Sequence, residues 1–65
     1  MPIITLEGPK LDKDKKKEII KGFTDVASNV MPYVPREAFV VLLKENSQEN
    51  VGVGGELLSD LQDKT

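Results

Sequence analysis

The apolar positions change their period twice along this chain. Ile3-Ile4-Thr5-Leu6 is a β-branched and aliphatic run that ends at Glu7-Gly8-Pro9, which predicts a first strand over residues 2–7 and a turn. Beyond Asp12, the residues Ile19, Ile20, Phe23, Val26, Ala27, Val30 and Met31 recur at three- and four-residue spacing. That period predicts one amphipathic helix from Lys13 to Val30, with Asp12 as its cap. Pro32 and Pro35 forbid continuation, and Ala38-Phe39-Val40-Val41-Leu42-Leu43 then reads as a second strand, apolar on both faces. Lys44 to Asn50 is a polar loop, Asn50-Val51-Gly52-Val53-Gly54-Gly55 predicts a small hairpin or bulged turn, and Glu56 to Asp63 one or two helical turns.

A continuous apolar strand reached through a long helical crossover implies a parallel pair, because an antiparallel pair needs only a short hairpin. The predicted fold class is therefore α+β: a β-α-β subunit with a parallel strand pair, one amphipathic helix and a C-terminal glycine hairpin, in a single domain over residues 1–65. Gly22 falls mid-helix, where it costs about 1 kcal/mol relative to Ala; close approach of another backbone is the expected reason for its use.

A 65-residue chain with 38% hydrophobic content buries little apolar surface by itself. With Cys 0 and His 0, neither a disulfide nor a structural zinc site supplements the core. Self-association is the expected supplement, since one helix covers one sheet face and leaves the other face and both edges open.

The net charge is −2, with Lys+Arg 9 against Asp+Glu 11, which gives no reason to expect nucleic acid as a partner. The lysines between Lys10 and Lys21 alternate with Asp12, Asp14 and Glu18, the pattern of a solvated helix face. The longest apolar stretch, Ala38 to Leu43, is far too short to span a membrane, and the start lacks a basic lead and a long apolar run. A soluble, cytoplasmic protein with no membrane partner is expected.

Candidate chemistry is narrowed by inventory. Without His or Cys there is no imidazole acid-base catalysis, no Ser-His or Cys-His nucleophile and no His-ligated metal. Gly52-x-Gly54 begins a dinucleotide fingerprint, but Leu57 stands at the third glycine position and no β-α-β lead-in precedes it. What remains is Pro2. Once Met1 is removed, its ring nitrogen becomes a secondary amine able to take and return a proton; an α-amino group titrates at about 7.7–8.0, and apolar surroundings lower that value.

Pro2-Ile3, Leu6-Glu7-Gly8, the helix from Lys13, Val40-Val41-Leu42-Leu43 with Glu45, and Gly52-Val53-Gly54-Gly55-Glu56-Leu57 together resemble the 4-oxalocrotonate tautomerase family over almost the whole chain. The Gly8-Pro9-Lys10-Leu11-Asp12 turn is most similar to its small DmpI-like members. The resemblance implies a homohexamer in which the amino-terminal proline moves a proton in an enol or 2-hydroxydienoate acid, with no cofactor and no metal. Pro2 matches the catalytic position. In the family two arginines and an aromatic residue complete the site; here the first arginine falls at Pro9-Lys10, the second at Val40 and the aromatic residue at Val51. Leu6 joins these as a substrate-facing position, and Arg36, four residues before Val40, is the chain's other candidate cation. A different class of function, a non-catalytic homo-oligomer that binds a small anion or a protein, is compatible with the missing arginines.

Overall fold

The computed structural model describes residues 1–63; Lys64 and Thr65, the end of the predicted domain, lie outside the described residues. Strand β1 (Ile3–Gly8) leads through the Gly8-Pro9 turn to helix α1 (Lys13–Val30), followed by strand β2 (Val40–Glu45). A hairpin of β3 (Gly52–Val53) and β4 (Glu56–Leu57) and a short helix α2 (Leu58–Asp63) complete the chain. The architecture is the predicted α+β arrangement.

Asp12 starts α1 as expected: its backbone is extended and its side-chain oxygen accepts the Lys15 backbone N–H at 2.9 Å. The helix ends at Met31, just ahead of Pro32, as the ring's missing N–H requires. Its return to the sheet differs from expectation. Arg36–Ala38 form a 3₁₀ turn, so β2 begins at Val40 rather than Ala38 and runs on through Lys44 and Glu45. The first strand likewise shifts by one, to Ile3–Gly8.

β1 and β2 pair in parallel, with Ile3 opposite Val40, Leu6 opposite Leu43 and Gly8 opposite Glu45. Alternation along β1 half-buries Ile4 and Leu6 on the helix-covered face and exposes Ile3, Thr5 and Glu7 on the other. Two further bonds extend the ladder: the Val40 N–H donates to the Pro2 carbonyl at 3.0 Å, and the Asn46 N–H to the Gly8 carbonyl at 2.9 Å.

The glycine segment resolves as a hairpin with a two-residue loop, Gly54 at φ +61° and Gly55 at φ +84°. Two consecutive positive φ angles define the type I′ turn that matches strand twist, and only glycine adopts them freely. Ahead of it the polar loop contains a second 3₁₀ turn, Gln48–Asn50, capped by Ser47.

No described residue is fully buried, and Ile3, on the open sheet face, is 55% exposed. The radius of gyration is 15.7 Å, against about 11 Å for a compact chain of this length. The accessible surface, 5187 Å², likewise exceeds the roughly 4,100 Å² of a compact folded protein of this mass. No helix among the described residues is long and apolar enough to cross a membrane.

Candidate active site

The candidate residues separate into two groups at opposite ends of the strand pair. Pro2 and Val40 meet at the amino end, where the Pro2 carbonyl accepts the Val40 N–H. Both are half-buried, so the ring nitrogen of Pro2 stands just outside the first rung of the ladder, beside the apolar Ile3 and Val40 pair. Arg36 leads into the same end through the 3₁₀ turn, in which its carbonyl accepts the Phe39 N–H at 3.2 Å.

Its guanidinium is directed elsewhere. Arg36 Nη2 donates to Asp25 Oδ1 at 2.7 Å, while Lys21 Nζ donates to Asp25 Oδ2 at 2.8 Å. Asp25 is therefore shared by two cations, and Arg36 ties the connection before β2 to the flank of α1. Hydrogen bonds from Lys21 and then Arg36 hold the Asp25 carboxyl below its ordinary value of 3.8.

Lys10 and Val51 lie at the carboxyl end. There a cleft of about 490 Å³ opens between the end of the strand pair and the hairpin segment, lined among others by Glu7, Gly8, Pro9, Asn46, Val51 and Leu58. Val51 is half-buried, and its carbonyl accepts the Leu58 N–H at 2.8 Å, which seats α2 over the cleft. Asn46 Nδ2 donates to Glu7 Oε1 at 3.3 Å, and Lys16 of α1 pairs with Glu45, so this end is crossed by polar links. Leu6 is half-buried on the covered face one rung inside. Asn46 and Gln48 line the cleft and escaped the sequence reading, because a polar loop carries no periodicity from which to place them.

Six residues of β1, each rising about 3.3 Å, hold Pro2 and Lys10 about 20 Å apart. No small acid touches both within one chain. Bringing the amine and the Lys10–Val51 end together requires a second chain whose strand runs the other way. Among the described residues no group of His, Cys, Asp and Glu side chains could hold a metal ion.

With this geometry in hand, comparisons with known proteins are specific. The family described as "Tautomerase enzyme" matches residues 2–61. The crystal structure of DmpI from Archaeoglobus fulgidus is 42% identical, with a TM-score of 0.80, covering 91% of this chain and 100% of that one. DmpI from Helicobacter pylori superimposes with a TM-score of 0.82 at 26% identity, over 98% of this chain and 100% of the other. A 4-oxalocrotonate tautomerase homologue gives a TM-score of 0.80 at 28% identity, over 92% and 95%. Comparison with curated proteins finds no match.

The Asp25 cluster generates a prediction with a defined sign. A carboxyl whose folded-state pKa is lowered adds stability that is present above the unfolded value and lost as pH falls through the folded one. The melting temperature of the native chain should therefore fall more steeply below about pH 3.8 than that of Asp25→Asn. Thermal melts across that range check it, and parallel curves would contradict it.

Proposed function

From the premise that this chain belongs to the tautomerase enzyme family, we propose that it is an isomerase which moves a proton within an enol or 2-hydroxydienoate acid, using the Pro2 nitrogen as acid and base after removal of Met1. The observation that carries this reading is the place of Pro2, where the family match begins: its carbonyl is held by Val40 and its nitrogen is free of the ladder at the open end of the sheet.

While Met1 is attached, that nitrogen is a tertiary amide without useful basicity. Freed, it is a secondary amine whose cation is disfavoured by the apolar Ile3 and Val40 beside it, which brings its titration toward neutrality. The amine accepts the enol hydroxyl proton as the carbonyl forms, and the ammonium returns a proton to carbon along the conjugated system. The product is the ketone and the amine is regenerated, so the step needs neither cofactor nor metal.

The working unit in this reading is a homo-oligomer, a hexamer as the family resemblance implies, in a cytoplasmic setting. A substrate carboxylate would meet Lys10, contributed from the far end of another copy's β1, with Val40 and Val51 as the apolar walls, while Leu6, on the helix-covered face, supports the strand from behind. Arg36 could serve only through the donors that Asp25 leaves free. The small number of cations favours a monoacid over a dicarboxylate, since a lysine lacks the bidentate fork of guanidinium.

A second reading is a non-catalytic oligomer that binds a small anion or a protein at the same interface. The engagement of Arg36 by Asp25, and Val40 in place of an arginine, favour it. Intact mass in the native host separates the two, because a binding role does not require removal of Met1.

Two outcomes test the catalytic reading. The processed chain should turn over enol substrates with a rate that rises as the amine deprotonates; Pro2→Ala should retain part of that rate with a displaced pH profile, and the Met1-retaining chain should lose it. Equal turnover with and without Met1 would defeat the amine mechanism. Separately, Lys10→Gln should raise KM for an acidic substrate more than for a neutral enol, and Arg36→Gln should do so to a smaller degree. Unchanged KM values in both would remove these residues from carboxylate binding.

A further inference from the structure

Several of the chain's cations are already engaged. Lys16 pairs with Glu45, and Lys21 and Arg36 share Asp25. Lys44 forms no ion pair among the described residues, although it lies within β2 itself. The helix lysines alternate with Asp12, Asp14 and Glu18, whereas Lys44 follows the aliphatic run Val40-Val41-Leu42-Leu43.

Strand parity decides which way Lys44 faces. Glu45 meets Lys16 of α1, so the odd-numbered residues of β2 face the helix and Lys44 stands on the open face of the sheet. The burial pattern agrees, since Leu43 is half-buried while Leu42 and Lys44 are exposed. In the parallel register Val40, Leu42 and Lys44 lie beside Ile3, Thr5 and Glu7. The open face therefore carries Ile3 and Val40 next to Pro2, and its charges at the carboxyl end alone.

The neighbouring carboxylate leaves the ammonium unmatched. Glu7 is the register partner of Lys44, one strand spacing of about 4.8 Å away. Its Oε1 accepts from Asn46 Nδ2 at 3.3 Å, and both side chains line the cleft at the strand ends.

We infer that Lys44 is a further substrate-binding residue, whose ammonium takes the carboxylate of an enol monoacid at the site formed between copies. The inference rests on the proposed isomerase function and names a cation that serves it. A copy whose strand runs the other way lays its carboxyl end beside the Ile3 and Val40 end of the first chain. A substrate there meets the Pro2 amine, then the aliphatic Ile3 and Val40, then Lys44 of the second copy. Lys10, on the turn beyond the same end, approaches the carboxylate from the side. Glu7, on the rung it shares with Lys44, repels a second substrate carboxylate, so the arrangement suits an acid with one.

Lys44→Gln removes the charge from an exposed position. On Pro2-terminated protein it should raise KM for an enol monoacid about ten-fold, the scale of one hydrogen bond to a charged group. The value of kcat and the turnover of a neutral enol ketone should hold. Lys44→Arg should restore most of the KM, because the positive charge carries the contact. An unchanged KM, or an equal loss with the neutral enol, overturns the inference.

Binding of hexanoate, a saturated monoacid, separates this inference from the function on which it rests. Calorimetry should show hexanoate bound by the native oligomer and about ten-fold more weakly by Lys44→Gln. If that difference appears while no enol turns over, the carboxylate contact stands and the isomerase reading falls. If hexanoate binds both proteins alike, or neither, Lys44 is removed from the site whether or not enols turn over. Light scattering on the same samples covers a role between copies: if Lys44→Gln dissociates the protein, the residue holds subunits rather than substrate, and the inference is overturned.

Discussion

The structure depends on one ladder, the parallel pairing of β1 with β2. A parallel pair cannot be closed by a hairpin, so the chain must supply a crossover, and α1 is that crossover. The ladder places the Pro2 carbonyl on Val40 at one end and the Gly8 carbonyl on Asn46 at the other. It thereby fixes which residues share an end: Pro2 with Val40, and the Gly8–Lys10 turn with the cleft beside Val51. Because Pro2 and Lys10 flank the same strand, no choice of partner within one chain brings them together.

That separation and the surface of the protomer have one resolution. No described side chain is fully buried, the sheet has one covered face, and the molecule measures 48 Å along its longest axis. Hydrophobic burial is the main force opposing chain entropy, and a chain that leaves Ile3, Leu42, Val26 and Val30 exposed has not used all of its share. In the proposed function, association completes both the core and the site. Stability and catalysis then draw on the same contacts.

Much of this was legible in the residue pattern. The three-and-four spacing from Ile19 to Met31, with Asp12 before it and Pro32 after it, located α1 at both ends, because a cap and a proline act through local geometry. The paired glycines marked the hairpin, because positive φ is a local demand. The start of β2 was less legible: Ala38 and Phe39 look like strand residues, but the 3₁₀ turn that begins at Arg36 takes them. The Asp25 pairing of Arg36 was not legible, since it joins residues from separate elements, and neither were Asn46 and Gln48, which enter the cleft only through the fold. Pro2 stood out by elimination and by resemblance; its bond to Val40 needed the register.

The account's central claim is that the site exists only between copies of the chain. Its most direct test is the specific activity of Pro2-terminated protein on an enol acid, followed by dilution alongside mass from light scattering. The account predicts that activity per chain is constant while the oligomer persists and falls in step with dissociation into monomers. A monomer with undiminished activity per chain would contradict it.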